Sequence, residues 1–251
     1  MDKAVIYIHG KGGNAEEAIH YKPLFSNCDV IGLDYTAQFP WEAKEEFPLL
    51  FNSIYRNYKT VEVIANSIGA YFAINALSNQ QIEKAYFISP VVDMERLIAD
   101  MMIWANVTED ELKEKKEIQT TFGETLSWDY LCYARENPII WEIPTHILYG
   151  EKDNLTAYGT IFEFVQRTNS TLSIMKNGEH WFHTDEQMKF LDEWIIKSSK
   201  YISSLLDLSI TWVRPDVPQR NKNKPNIQII FKNVRRADLH KRYHLCSLPF
   251  R

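Results

Sequence analysis

Residues 61–70 of the chain read VEVIANSIGA, and this stretch decides the fold class. Its first part, Val61–Ala65, is rich in β-branched residues and is typical of a strand buried on both faces of a parallel sheet. The run Ile68–Leu77 is small and apolar and favours a buried helix. Ser67 stands between them, and a sharp strand-to-helix turn exposes a serine hydroxyl at the edge of a sheet. The stretch therefore predicts a nucleophilic serine, although a serine that only caps a buried helix fits it as well.

Five further apolar runs resemble this strand, and amphipathic stretches separate them. The runs are Ala4–Ile8, Asp29–Tyr35, Ala85–Ser89, His146–Tyr149 and Thr171–Met175, and the helical stretches include Trp41–Tyr58, Ile161–Thr168 and Glu186–Ile196. This alternation predicts the α/β class, with a doubly wound, mostly parallel six-stranded sheet. More than fifty residues separate Pro90 from His146, far more than one crossover needs. The excess, about residues 91–141, predicts an inserted helical cap, with helices at Met94–Trp104 and Thr125–Glu136.

Polar residues follow three of the other strands at the point where each strand ends. His9-Gly10-Lys11-Gly12-Gly13 follows the first strand, Asp153 follows the fifth, and His180 follows the sixth. The carboxyl ends of parallel strands share one edge of a sheet, so these groups can converge on Ser67. They predict a serine hydrolase site, in which Ser67 is the nucleophile, His180 the base and Asp153 the acid. The backbone amides of Lys11 and Ile68 are the expected oxyanion donors.

Each of these motifs has an alternative interpretation. His183 is a reserve for His180, and Glu151 and Asp93 are weaker candidates for the acid. Asp153 is also a common residue of an ordinary turn, and a histidine in this loop can simply face solvent. Gly12 could replace Lys11 as an oxyanion donor. The glycine-rich loop fits neither a Walker phosphate loop nor a dinucleotide-binding fingerprint.

With these motifs, residues 1–198 resemble the α/β-hydrolase superfamily. The resemblance rests on His9-Gly10, on the turn around Ser67, on Gly150-x-x-Asp153 and on Gly178-x-His180. In that family these motifs supply the oxyanion loop, the nucleophile, the acid and the base. The two antiparallel strands that usually open the family's sheet are missing, so the resemblance implies a minimal version of the fold. It also implies a cap at about residues 91–141.

The expected function is a carboxylesterase that hydrolyses short-chain alkyl or aryl esters through an acyl-enzyme, without a metal or a cofactor. Expected substrate contacts are glycine, methionine and aromatic residues of the oxyanion loop, the cap and the histidine loop, namely Gly10, Met101, Trp104, Trp128, Tyr130 and Trp181. The alternative is that many of the cap residues have no contact with substrate and only pack the cap on the sheet. A thioesterase or an amidase would use the same triad, a small peptidase is a further alternative, and a non-catalytic binding protein of this fold remains a competitor.

Composition is that of an ordinary globular protein, with 45% apolar and 24% charged residues in 251. The net charge of −5 excludes a strong overall attraction for nucleic acid or anionic lipid. No stretch has the pattern of a signal peptide or of a membrane span, and the three cysteines form no disulfide or zinc pattern. These features predict a cytoplasmic protein whose partner is a small ester rather than nucleic acid or membrane.

Residues 199–251 differ in composition from the rest of the chain. Residues 201–251 hold 10 Lys/Arg and 3 Asp/Glu, a net charge of +7, whereas residues 1–200 carry −12. We expect a basic C-terminal extension, either a tail or a β-hairpin built from Ile210–Val213 and Ile227–Phe231. Packing on the acidic body or formation of a homodimer is favoured over nucleic-acid binding.

Overall fold

The computed structural model of the chain describes residues 2–200 and the backbone of Ile229–Ile230. Its strands are β1 (Lys3–Ile8), β2 (Asp29–Gly32), β3 (Thr60–Asn66), β4 (Lys84–Ile88), β5 (Glu117–Gln119), β6 (Thr125–Ser127), β7 (Thr145–Gly150), β8 (Ser170–Met175) and β9 (Ile229–Ile230). Its helices are α1 (Ala18–Tyr21), α2 (Pro40–Tyr55), α3 (Ile68–Leu77), α4 (Met94–Ala105), α5 (Glu109–Lys115), α6 (Trp128–Glu136), α7 (Tyr158–Arg167) and α8 (Asp185–Ser199). Short 3₁₀ turns at Ala15–Glu17 and Lys22–Leu24 flank α1.

The strands form one central sheet in the order β2-β1-β3-β4-β7-β8, and every neighbouring pair among these six is parallel. The carboxyl ends of all six strands therefore lie at one edge. The prediction of a doubly wound, mostly parallel six-stranded sheet is confirmed. The two residues of β9 add a short antiparallel strand beside Leu172 and Ser173 of β8.

Helices cover both faces of the sheet, because alternate residues of a strand point to opposite faces. On one face, Val5 and Tyr7 of β1 pack with α1 and α8. On the other face, Ile6 and Ile8 pack in a larger cluster with α2, α3 and α7. Each of these four side chains is at most 2% exposed, and burying an apolar side chain of this size contributes about 1.5–3 kcal/mol. Two hydrophobic cores thus flank the edge where the loops meet.

The insertion between β4 and β7 contains α4, α5, a small β5–β6 hairpin and α6. The predicted helix Met94–Trp104 corresponds to α4. The prediction that a helix begins at Thr125 was wrong for three residues, because Thr125–Ser127 pairs with Glu117–Gln119 before α6 begins at Trp128. The insertion packs on α2 and α3 through the apolar side chains of α4 and α6.

The predicted C-terminal hairpin and its role in a homodimer lie outside the described residues, apart from the pairing of Ile229–Ile230 with β8. The division of the chain near residue 198 stays a prediction. Among the described residues, no helix is both long enough and apolar enough to cross a membrane.

Helix α3 approaches the end of β1 most closely at Gly69. A Cβ atom on Gly69 would lie 2.3 Å from the carbonyl oxygen of His9 and 2.9 Å from that of Ile8. Both oxygens belong to the backbone, so neither can move away as a flexible side chain could. The absence of a side chain at this position lets the helix that follows Ser67 pack beside the glycine-rich loop.

We expect Gly69→Ala to lower the free energy of unfolding by about 1–3 kcal/mol, because the added methyl group overpacks the contact. Gly159→Ala in α7 is the matched control, since a Cβ there meets nothing within 4 Å. That variant should be neutral or more stable by about 0.5–1 kcal/mol, owing to the better helix propensity of alanine. Chemical denaturation measures the free energy of unfolding of both variants. Equal stability of the two would contradict a close contact between α3 and the end of β1 at Gly69.

A histidine lies partly buried in β7. His146 Nδ1 is 2.7 Å from Thr171 Oγ1, and its ring stacks on Tyr86 with the centroids 5.9 Å apart. Burial, together with a smaller effect of the nearby charge of Lys84, lowers the pKa of His146 from 6.5 to about 4. Between these two pH values the unfolded chain binds a proton at this residue that the folded protein does not.

We therefore expect the free energy of unfolding to fall as the pH drops from about 6.5 towards 4, with His146 contributing up to about 3 kcal/mol of the loss. The contribution of His146 to stability is fully present above its pKa in the unfolded chain. It is lost as the pH falls through its pKa in the folded protein. His146→Gln should show a shallower pH dependence in denaturation curves recorded from about pH 4.5 to 7.5. Identical slopes in the two proteins would refute this assignment.

Candidate active site

Ser67 occupies the turn between β3 and α3 with an unusual backbone conformation. Its φ is 51° and its ψ is −120°, a region that a residue with a side chain rarely occupies. Its N–H donates to the carbonyl oxygen of Ile88 at 3.0 Å, and its own carbonyl accepts the N–H of Val91 at 3.0 Å. These bonds tie the turn to β4 and to the loop that follows it. The hydroxyl is thus fixed at the carboxyl edge of the sheet.

The loops after β7 and β8 bring two further side chains to Ser67. Nε2 of His180 lies 2.9 Å from Ser67 Oγ, and its Nδ1 lies 2.8 Å from Asp153 Oδ2. Both distances are those of good hydrogen bonds. A hydroxyl, an imidazole and a carboxylate from three distant parts of the chain therefore form one continuous hydrogen-bonded chain, which we call the Ser67–His180–Asp153 relay.

A tight turn surrounds the carboxylate of Asp153, whose side chain is fully buried. Its Oδ1 accepts the backbone N–H groups of Leu155 and Thr156 at 2.8 and 2.9 Å. An unpaired buried carboxylate is costly, and here both of its oxygens are bonded. Tyr149 holds the turn by donating its hydroxyl to the carbonyl oxygen of Thr156 at 2.9 Å. Burial raises the pKa of Tyr149 to about 12, so this hydroxyl remains a donor at neutral pH.

The alternative acid and base residues are bonded elsewhere. His183 is exposed, and its Nδ1 lies 2.8 Å from the carbonyl oxygen of Trp181. Glu151 accepts a backbone N–H in the turn after β8 at 3.0 Å. Asp93 caps α4 by accepting an N–H of its first turn at 2.9 Å. The structure thus brings together the first choice at each position, and the alternatives make other hydrogen bonds.

The glycine-rich loop lies directly beside Ser67. A Cβ atom built on Gly10 would be 3.2 Å from the Cβ of Ser67. The amide of Ile68 is the first of α3, and the amide of Lys11 belongs to the loop. Within the described part of the chain, neither N–H donates a hydrogen bond to a protein acceptor. Both amides are therefore free to bind an oxygen atom near the serine.

Two contacts hold this loop in place. Tyr35 donates its hydroxyl to the carbonyl oxygen of His9 at 2.8 Å, and the two rings stack with their centroids 4.2 Å apart. The ammonium group of Lys11 forms an ion pair with Glu124, which lies in the turn of the β5–β6 hairpin. The loop is thus fixed to the sheet side by Tyr35 and to the insertion by Glu124.

A cavity of about 410 Å³ opens next to the relay. Its lining comes from the glycine-rich loop, the ends of three strands, α1 and the turn before it, and α8 with the loop before it: Tyr7, Gly10, Lys11, Gly12, Gly13, Glu17, His20, Tyr21, Asn66, Ile88, Trp181, Phe182, Met188 and Leu191. Asn66 and Trp181 directly adjoin Ser67 and His180 in the sequence. The cavity therefore reaches the edge where the relay lies, on the face covered by α1 and α8.

The six expected substrate contacts fall into two groups. Gly10 and Trp181 line this cavity, and Trp181 is 70% exposed. The four cap residues lie on the opposite face: Met101 and Tyr130 are buried in the core there, Trp128 packs against it, and Trp104 is half exposed at the surface. Burial raises the pKa of Tyr130, whose hydroxyl has no hydrogen-bond partner among residues 2–200. Contact of all six residues with substrate stays a prediction.

The described residues contain no group of three or more His, Cys, Asp or Glu side chains placed to hold a metal ion. Cys28 and Cys132 are free thiols on separate parts of the fold. The expectation that the reaction needs no metal or cofactor stays a prediction.

No protein-family model and no curated protein matches this sequence. Solved structures do match the fold. Est1E from Butyrivibrio proteoclasticus superposes with a TM-score of 0.64 at 14% identity, over 79% of this chain and 88% of Est1E. Alpha/beta hydrolase domain-containing protein 10 from mouse gives 0.64 at 14% identity over 78% and 89%. A lipase-esterase related protein from Clostridium acetobutylicum gives 0.56 at 16% identity over 78% and 94%.

These similarities show that the chain has the α/β-hydrolase fold, as the sequence motifs imply. At sequence identities this low, structural similarity supports a shared fold but does not establish a shared activity. Six parallel strands with the relay at their carboxyl edge make the minimal form of that fold.

Several residues of the site have no sequence motif that marks them. Glu17 lines the cavity from a short 3₁₀ turn, and Glu124 reaches Lys11 from a hairpin that the helical pattern conceals. Tyr35 ends the second apolar run, where an aromatic residue predicts a strand and gives no sign of a contact with the glycine-rich loop. Only the position of Tyr35 at a strand end could have suggested its role.

The bonding pattern fixes the state of the neutral His180 ring. We expect the proton on Nδ1, because Asp153 can only accept there, and a bare Nε2 that accepts from the Ser67 hydroxyl. Asp153→Asn can present its amide NH₂ to the ring and should move the proton to Nε2. Nitrogen-15 NMR of the imidazole distinguishes the two tautomers. Glu151→Gln is the control and should leave the His180 resonances unchanged; a shift with that variant instead would reassign the acid.

Proposed function

We infer that this protein is a serine hydrolase that cleaves carboxylic esters with a short alkyl or aryl group through an acyl-enzyme. The observation that carries the inference is the unbroken Ser67–His180–Asp153 relay, with distances of 2.9 and 2.8 Å, beside two unoccupied backbone amides. One of the structurally similar proteins is described as a lipase-esterase related protein and another as an alpha/beta hydrolase domain-containing protein, which adds support.

The first half of the reaction follows from the direction of the hydrogen bonds. Ser67 Oγ attacks the ester carbonyl carbon while Nε2 of His180 takes the hydroxyl proton. Asp153 stabilises the imidazolium that forms and keeps the ring oriented. The carbonyl oxygen gains negative charge, and the N–H groups of Lys11 and Ile68 bind it in place.

The second half uses the same groups. His180 gives its proton to the leaving alcohol, the bond between the acyl carbon and that oxygen breaks, and the acyl group stays on Ser67. A water molecule then attacks the acyl-enzyme, with His180 again taking and returning a proton. The strained turn at Ser67 is in place before substrate arrives, so no reorganisation is needed during either step.

A thioesterase or an amidase would use the same relay, and the geometry does not separate these leaving groups. The presence of all three relay members argues against a non-catalytic binding protein of this fold. The small cap favours a modest ester over a long lipid chain. These arguments leave the ester as the preferred substrate class.

The decisive experiment measures hydrolysis of p-nitrophenyl acetate and butyrate, with matched thioesters and amides, by wild type and Ser67→Ala. We expect the wild type to cleave the esters best and Ser67→Ala to lose about four to six orders of magnitude in turnover. A fluorophosphonate probe should label Ser67, as mass spectrometry of the modified peptide would show.

Ser53→Ala is the matched control, because Ser53 lies on the exposed side of α2 and its hydroxyl donates to the carbonyl oxygen of Leu50. It should keep full activity and full labelling. A wild-type protein that is silent across acyl chain lengths and unlabelled by the probe would refute the hydrolase assignment. Faster cleavage of thioesters or amides than of esters would move it to one of those classes.

A further inference from the structure

The cavity beside the relay has one charged side chain whose charge no neighbour balances. Of its basic groups, the ammonium of Lys11 pairs with Glu124, and Nε2 of His20 bonds Asp192 Oδ1 at 2.8 Å. Glu17 forms no ion pair with any Lys, Arg or His among residues 2–200. The cavity therefore presents an uncompensated negative charge.

The position of the Glu17 carboxylate is well defined. Its Oε2 accepts the hydroxyl of Tyr7 at 2.5 Å. Burial raises the pKa of Tyr7, which keeps its hydroxyl a donor. Gly13 lets the carboxylate lie against the loop, because a Cβ there would be 2.7 and 3.0 Å from the two carboxylate oxygens. Glu17 is exposed at the mouth of the cavity, so a ligand can reach it.

Aromatic rings line the same cavity. Tyr7 and Tyr21 lie inside it with their centroids 5.1 Å apart, and Trp181 lies at its rim, 70% exposed. The faces of such rings attract cations, and aromatic cages bind quaternary ammonium groups. A carboxylate beside the rings attracts the same positive charge. Both features of the lining favour the same kind of ligand.

The cavity reaches residues that flank the relay. Gly10, whose Cβ position lies 3.2 Å from the Cβ of Ser67, lines it, as do Trp181 and Phe182, the two residues after His180. His180 has to reach the oxygen of the leaving group to protonate it. The cap packs on the opposite face of the sheet. An ester bound at Ser67 can thus place its acyl group towards the cap and its alcohol in the cavity.

We propose that this cavity binds the leaving alcohol of the substrate and that Glu17 selects alcohols carrying an ammonium group. The proposal rests on the hydrolase function inferred above and specifies its substrate class. For a choline ester, Ser67 Oγ bonds to the acyl carbon while the bond between that carbon and the choline oxygen breaks, and water then cleaves the bond between the acyl group and Ser67. The products are a carboxylic acid, which ionises, and free choline, whose oxygen takes its proton from His180. Glu17 is a specificity residue and takes no part in bond cleavage.

The test compares butyrylcholine with 3,3-dimethylbutyl butyrate, which has the same shape without the charge. Glu17→Gln keeps the acceptor for Tyr7 but removes the charge. We expect it to lower kcat/KM for butyrylcholine about five- to tenfold, mainly through KM, and to change the neutral ester by less than twofold. The selectivity should shrink in about 0.5 M salt, since Glu17 is exposed to solvent.

Glu16→Gln is the matched control, because Glu16 is the neighbouring exposed carboxylate and does not line the cavity. It should leave both substrates unchanged. A third ester, ethyl 4-(trimethylammonio)butyrate, carries the cation on the acyl side and should not respond to Glu17→Gln. A response to that ester, or an equal loss with the neutral ester, would overturn the leaving-group assignment.

The outcomes also separate this proposal from the hydrolase assignment. Cleavage of 3,3-dimethylbutyl butyrate by wild type without any preference for butyrylcholine overturns only the role of Glu17. Absence of cleavage of all three esters, together with failure of the fluorophosphonate probe to label Ser67, overturns the hydrolase function itself.

Discussion

The backbone conformation of Ser67 is the constraint on which the rest of the site depends. A residue with a side chain pays about 1–3 kcal/mol to adopt such a φ, and the surrounding structure must hold it there. Hydrogen bonds to Ile88 and from Val91 do so, and both partners lie in or just after β4. The same turn sets the hydroxyl at the sheet edge and begins α3 at the next residue. A relaxed turn would therefore move both the hydroxyl and the first amide of α3, the groups that the proposed reaction uses.

The relay also requires a buried carboxylate whose burial costs little free energy. Asp153 meets it because its oxygens accept two backbone amides and one imidazole nitrogen. Glu151, two residues earlier, instead bonds a backbone amide of the turn after β8. The acid is thus chosen by the shape of the loop after β7 rather than by the presence of a carboxylate, which that loop contains twice.

The sequence predicts the parts of the fold that depend on local pattern. Six apolar runs and the small residues around Ser67 were sufficient to predict the sheet. The positions at which the strands end were sufficient to predict that Asp153 and His180 lie at its carboxyl edge. The β5–β6 hairpin escaped prediction because Thr125–Ser127 continues into α6 with similar composition. The cavity escaped as well, since it is assembled from five separate segments whose contact depends on how α1 and α8 pack. Composition also cannot distinguish an aromatic ring that lines a site from one that packs in the core, so the substrate contacts expected in the cap stay predictions.

Lys11 links the glycine-rich loop beside Ser67 to the cavity and to the insertion. It follows Gly10, which lies beside Ser67, it lines the same cavity as Glu17, and its ammonium pairs with Glu124, 113 positions along the chain. Glu124 balances the charge of Lys11, whereas Glu17 in the same cavity forms no ion pair among residues 2–200. The insertion therefore contributes to the charge of the cavity, because the partner of Lys11 lies in the turn of its hairpin. Under the proposal above, this pairing leaves the charge of Glu17 available to a cationic alcohol.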